Sequence, residues 1–395
     1  MGLVDRVIET IQSRRDNLLT GNINCIPFPF IRFRSQIPGI EQGRYTICTG
    51  ATKSAKTQLA TYIYVFYPIL YSYKHPNQAK VTVLYYPQEE TPEQITLKFM
   101  SYLLYFLSKG KYRVSPTDLN STNNDKPLSE EVIKILQCPT FQKIFKHFEE
   151  NVIFSAVSNP TGVWKECKKY AEEHGKVYTK EAKYTDEFGI TKTTQGAFDY
   201  YEPDNPKEYK IIFYDHASLV ATEGNKTLRE TMAKLSEYFV LLRNRYGFTP
   251  VLVQQQAMFE NLDAYKMNML KPTIANLADN KATSRDVDVC ISIFSPYKYN
   301  LKTWEWGGEE YDITKLKDNI RFMECLLNRH GQSNGVLPLY FDGACNLFTQ
   351  MPKPSDTVGM ESVYKQIEAI RNQKTEKVFF TCICRKDCIN NLINN

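Results

Sequence analysis

From residue 44 onward the chain repeats one unit, a short apolar run followed by a longer stretch with apolar positions every three or four residues. The apolar runs cover 45–49, 81–86, 152–155, 211–214, 250–254 and 289–294, with 322–327 and 337–341 following close together. Short runs this rich in Val, Ile and aromatic residues predict strands buried on both faces. The helical stretches between the earlier runs have room for right-handed crossovers, so those strands should lie parallel. The last two are too close for a crossover and predict an antiparallel edge. The fold class that follows is α/β, a mostly parallel sheet flanked by helices.

Other stretches depart from this unit. In Leu3–Leu19, apolar residues fall at helical spacing (Leu3, Val7, Ile8, Ile11, Leu18, Leu19) with Arg and Glu between them, and the pattern stops at Thr20-Gly21-Asn22. This predicts an amphipathic helix that either packs on its own domain or lies ahead of it as a linker. Residues 108–140, with Ser121-Thr122-Asn123-Asn124-Asp125, read as a polar insertion that ends in a helix. Residues 177–205 alternate and turn at Asp186-Glu187-Phe188-Gly189, predicting an inserted β-hairpin. After Phe348 a joint at Met351-Pro352-Lys353-Pro354 leads into a helical segment and an apolar patch at 378–383. The chain therefore divides into a helix within 1–25, one large domain over 26–350, and a tail over 351–395.

Composition narrows the functional classes. With 395 residues, 42% hydrophobic and 24% charged, the chain can bury a sizeable core. It has no long uncharged apolar stretch and no basic-apolar-small leader, so a membrane span and a secretory leader are not expected and a cytoplasmic setting is. The ten cysteines are scattered, several of them inside apolar runs. Cys382, Cys384 and Cys388 are close together, but the nearest histidine is His330, so a four-ligand zinc set is incomplete. A net charge of +5 is mild, and any affinity for a polyanion must come from local placement of Lys and Arg.

The chemistry gathers at the ends of the predicted strands. Gly50-Ala51-Thr52-Lys53-Ser54-Ala55-Lys56-Thr57 lies between a strand and a helix. A phosphate-binding loop needs curled backbone N–H groups, an ammonium for the outer phosphates and a hydroxyl for magnesium, and Lys56 and Thr57 supply the last two. Ala55 stands where the usual pattern has Gly, which suits an anion nest only if its φ is negative. The apolar run ending at Asp215 delivers a carboxylate to the edge where open α/β sheets bind ligands, facing the magnesium that Thr57 would hold. Glu89, with Glu90 as second choice, follows another strand and is suited to polarising an attacking water. Gln256 follows the run at 250–254, where an amide can sense a γ-phosphate.

This ordered set resembles the DnaB-type replicative helicases among RecA-like P-loop ATPases, from about Ile26 to Phe348. The run Pro87-Gln88-Glu89-Glu90-Thr91-Pro92-Glu93-Gln94 is similar to that family's strand-Glu-helix segment, and the resemblance gives Glu89 the catalytic carboxylate role. It makes Asp215 the magnesium-associated acid and Gln256 the amide after the next strand. Residues 276–288 are similar to the DNA-facing loop, which implies that Lys281 and Arg285 meet single-stranded DNA through its phosphates. Leu326-Leu327-Asn328-Arg329-His330-Gly331 resembles the segment that reaches a neighbour's triphosphate. Arg329 takes the arginine-finger position, and Leu327 stands where the family has Lys.

By this resemblance the cofactors are ATP and Mg2+, and the assembly is a hexameric ring translocating 5′ to 3′ on single-stranded DNA, with a primase or loader as partner. The family's N-terminal helical domain has no counterpart here, and Leu3–Leu19 is similar to its linker helix, as in a minimal, phage-encoded version working in the host cytoplasm. Two other readings stay open at this level. One is a RecA-like recombination ATPase. The other is a degenerate relative that binds nucleotide structurally or as a loading partner, which Ala55 and Leu327 favour.

Overall fold

A computed structural model of the chain describes residues 3–185, 189, 191–257 and 270–372. In chain order the strands are β1 (Ile26–Pro27), β2 (Gly39–Ile40), β3 (Thr46–Gly50), β4 (Lys80–Pro87), β5 (Val152–Phe154), β6 (Gly175–Thr185), β7 (Thr191–Pro203) and β8 (Glu208–Asp215). They continue as β9 (Thr249–Gln255), β10 (Val289–Phe294), β11 (Thr303–Trp306), β12 (Glu309–Asp312), β13 (Ile320–Asn328), β14 (Val336–Asp342) and β15 (Leu347–Gln350). Nine of them form one sheet in the order β15-β14-β13-β10-β3-β9-β8-β4-β5. From β10 to β5 all pairings are parallel, while β13, β14 and β15 add on antiparallel. This is the mostly parallel α/β sheet that the apolar runs predict. β15 extends the antiparallel edge by a strand whose four residues are too few to register as a run, and β11 pairs with β12 in a small hairpin.

Period-two alternation explains why the central strands read as unbroken apolar runs. Ile47, Ile212 and Tyr214 enter one core, while Cys48, Ile211 and Phe213 enter the core on the other face. The first face is covered by α8 (Pro160–Glu173) and α9 (Leu228–Tyr246). The second is covered by α2 (Lys56–Thr61), α3 (Tyr67–Lys74), α4 (Pro92–Leu107) and α7 (Pro139–Asn151). Helix starts follow local chemistry. Thr91 caps α4 in a reciprocal box with Gln94, Pro92 opens its first turn, and Thr227 with Glu230 makes the same box for α9. α9 stops at Gly247, whose φ of +69° a residue with a Cβ would resist.

Three peripheral elements keep to themselves. The helix α1 (Leu3–Leu19) is tethered near its end by Arg14 to Glu41 and by Asn24 to the Arg14 carbonyl, yet Val4, Val7, Ile8, Ile11, Leu18 and Leu19 are exposed. Its apolar stripe therefore does not pack on its own domain. β6 and β7 form a separate two-stranded hairpin, seated through Phe198 and Tyr201 against Tyr246 of α9. In 108–140 two short helices, Pro116–Leu119 and Glu130–Leu136, lie beside a partly buried Arg113–Asp342 ion pair at 2.6 Å. Cys382, Cys384, Cys388 and the patch at 378–383 lie outside the described residues.

Candidate functional site: a phosphate-binding loop at the sheet edge

β3 lies between β10 and β9, so its C-terminal end opens onto the middle of the ligand edge. Gly50 ends it because nothing larger fits: a Cβ there would come within 2.5 Å of Ser54 Oγ and 2.9 Å of the Ile293 carbonyl oxygen. The loop then turns through two left-handed residues, Lys53 at φ +61° and Ala55 at φ +73°. Alternating right- and left-handed backbone points successive N–H groups into one concavity, which is how an anion nest is built. The expectation that Ala55 needs a negative φ is thus corrected. It adopts the angle a Gly would, at about 1–2 kcal/mol of local strain. Ser54 Oγ is buried with no hydrogen-bond partner among the described residues, and the Ser54 carbonyl accepts from Arg321 Nε at 3.0 Å.

Lys56 opens α2 with its side chain largely buried, and Thr57 Oγ1 donates to Asp215 Oδ1 at 3.2 Å. Asp215 reaches this position because β8 runs parallel to β4 with Pro87 opposite it, bringing Glu89 and Glu90 round the same corner. Burial pushes the Asp215 carboxyl up to about 7, the Glu89 charge adds to that, and Lys56 and the Thr57 hydroxyl pull it back. A buried hydroxyl and carboxylate in contact beside an ammonium at a helix start suit a magnesium–triphosphate group, whose charge would settle all three. A cavity of about 460 Å³ lies over them, lined by Lys53, Lys56, Thr57, Glu89, Gln255 and Arg321 among others.

The two glutamates differ in their partners. Glu90 is tied to Lys98, whereas Glu89 bonds His216 Nε2 at 2.9 Å through one oxygen and remains partly exposed to the cavity. Gln256 does not face the cavity. Its side chain donates to Thr49 Oγ1 at 3.0 Å and accepts from Thr273 N at 3.2 Å, so it clamps β3 to the segment that follows β9. Period two puts Gln254 and Gln256 on the buried side, and it is Gln255 that lines the cavity and lies 3.3 Å from His216.

Lys281 and Arg285 are exposed on one 3-10 turn (Lys281–Arg285), whose Thr283 is buried against Gln254 Oε1 at 2.8 Å. Arg329 follows the end of β13, where its backbone N–H donates to the Asp288 carbonyl and its guanidinium to the Arg285 carbonyl. That end pairs with the start of β10, which pairs with the start of β3. Arg329 is therefore a strand's length, about 13 Å for five residues, from its own phosphate loop. Sequence reasoning missed His216, Gln255 and Arg321. A His directly after Asp215 and a lone Arg in the apolar run of β13 were the available signals. Arg321 is 2% exposed, pairs with Asp318 at 2.8 Å and stacks on Phe341, and so braces the loop rather than reaching into solvent.

A central strand ending in a nested loop, with the acid on the strand but one away and an antiparallel edge, defines a RecA-like P-loop ATPase fold. Among solved structures the chain is similar to an isolated ATPase domain, with 12% identity over 89% of this chain and 100% of that one and a TM-score of 0.57. It is also similar to a DnaB-like replicative helicase described with its interactions with primase, with 12% identity, 89% and 68% coverage and a TM-score of 0.55. At such identity the likeness speaks to the fold alone. No protein-family model and no curated protein matches the chain.

Proposed function

We propose that this chain is the motor core of a DnaB-type helicase, which hydrolyses ATP with Mg2+ and uses the cycle to move along single-stranded DNA in a homo-oligomeric ring. The observation that carries it is the convergence of Lys56, Thr57, Asp215 and Glu89 on one cavity from separate strand ends and loops. In this reading the nest and Lys56 hold the phosphates, Thr57 and Asp215 hold the magnesium ion, and Glu89 takes the proton of the attacking water. The bound ion would supply neutralisation of charge on the phosphates. Two features favour assembly: the exposed apolar stripe of α1, which a neighbouring copy would cover, and the distance of Arg329 from its own loop, which suits a finger acting in trans. Lys281 and Arg285 are proposed to meet the DNA backbone, and Gln256 to report on the γ-phosphate only indirectly, through Thr49 and Thr273. A primase or a loader is a candidate partner, because a helicase of this fold is described with primase.

Steady-state ATP turnover with and without single-stranded DNA tests this reading. Turnover should rise with DNA and vanish in Lys56→Ala, with melting unchanged because no acidic side chain among the described residues forms an ion pair with Lys56. A parent protein that binds ATP without turning it over would favour a nucleotide-clamped structural partner, the reading that Ala55 and Leu327 support. Turnover undiminished in a folded Lys56→Ala protein would refute the assignment of the loop.

A further inference from the structure

We infer that His216 is the positioning residue for Glu89, holding it through a neutral imidazole protonated at Nε2. The proposal rests on the ATPase reading above and adds a residue to it. His216 is 4% exposed and directly follows Asp215, and its two ring nitrogens have distinct neighbours. Nδ1 accepts the Ser218 backbone N–H at 3.2 Å, so it carries no proton of its own. In a neutral ring the proton then resides on Nε2, which lies 2.9 Å from Glu89 Oε1 and donates to it. Burial of the ring also disfavours the charged form.

The consequence is geometric. A carboxylate on a partly exposed side chain has several rotamers, and a general base acts only when its lone pair faces the water it deprotonates. His216 takes up Oε1 and stops the side chain swinging away, which leaves Oε2 for the cavity. Neutrality matters as well, because an imidazolium would draw down the basicity of the carboxylate it holds. Gln255, 3.3 Å from Nε2, closes the other side of the ring. The Ser218 side chain is anchored in turn to Asp279, so the loop that sets the ring is fixed at both ends.

Four variants of the full chain test this: Glu89→Gln, His216→Phe, His216→Gln and the double Glu89→Gln/His216→Phe. His216→Phe keeps the ring volume without the N–H. It should lower kcat for ATP by about 10- to 100-fold, with KM and nucleotide affinity within about twofold of the parent. His216→Gln, which restores an N–H donor, should recover part of the loss. In the Glu89→Gln background His216→Phe should cost nothing further, since it acts through the missing carboxylate. Independently of activity, imidazole 15N shifts in the nucleotide-free protein should show one of the five histidines as the Nε2–H form, altered in Glu89→Gln. If Glu89→Gln abolishes turnover while His216→Phe leaves kcat intact, the proposal is overturned and the ATPase reading stands. It is likewise overturned if the two losses multiply, if nucleotide affinity falls with kcat, or if His216 carries its proton on Nδ1. A parent that turns over no ATP overturns both readings together. If His216→Phe does not fold, His216→Gln and the 15N shifts decide.

Discussion

At the scale of single residues the site works against local preference in two places, and each departure has a measurable consequence. Ala55 adopts a left-handed angle that costs a residue with a Cβ about 1–2 kcal/mol. Ala55→Gly removes that strain but adds about 0.4–1 kcal/mol of unfolded-state entropy, so the net should be neutral to slightly stabilising. Denaturant midpoints check this, and a loss of more than about 1 kcal/mol would show that the loop does not need the angle. Asp215 is the second case, its carboxyl raised by burial and then by Glu89 from 3.8 to about 7. A carboxyl whose folded value is raised contributes stability that is fully present below about pH 4 and lost as pH rises through 7. The nucleotide-free protein should therefore lose stability between pH 4 and 7, by at most about 4 kcal/mol. Asp215→Asn should flatten the slope. Equal slopes for the two proteins, in chemical unfolding at several pH values, would rule this out.

At the scale of elements, the turn Lys281–Arg285 shows how a cationic pair is presented rather than merely exposed. Thr283 and Asn280 are buried against Gln254 and the Arg229 carbonyl, which leaves Lys281 and Arg285 pointing outward from a fixed turn. If each neutralises one phosphate of a single strand, replacing both by Ala should weaken oligonucleotide binding and lower the salt slope by about 0.7 for each. Fluorescence anisotropy at several salt concentrations measures it, and identical slopes would move the DNA path elsewhere. The eight apolar runs lie within three residues of eight strands of the large sheet. They were legible because strands buried on both faces carry no polar alternation to confuse the pattern. β15 and the hairpin of β11 with β12 were not, since four-residue strands with mixed polarity depend on their neighbours for pairing.

At the scale of the molecule, the proposed ring divides one reaction between two copies. Lys56, Thr57, Asp215 and Glu89 belong to one edge of the sheet, and Arg329 to the opposite edge. Arg329→Ala should then leave nucleotide binding intact and slow hydrolysis. Finger losses elsewhere run from about 10³ to 10⁵, and with Leu327 in place of a second cation the drop here should be smaller. Mixing Arg329→Ala with Glu89→Gln protomers should restore part of the turnover, because some mixed interfaces hold both an intact carboxylate and an intact finger. Absence of any rescue, with turnover strictly proportional to protomer concentration, would exclude action in trans.

Sequence by itself determined what depends on short-range order: the α/β alternation, the phosphate loop between strand and helix, and the acids delivered at strand ends. Each of these is written within about ten consecutive residues, through periodicity or turn chemistry. Tertiary structure alone decided which of several adjacent polar residues face the site. Glu89 is distinguished from Glu90 by partners farther along the chain, His216 against Lys98, and Gln255 from Gln256 by the side of β9 on which each falls. The same holds for Arg321, which reaches the Ser54 carbonyl from 267 residues away. Such choices depend on strand register and on contacts between distant segments, and neither is encoded in any local window of the chain.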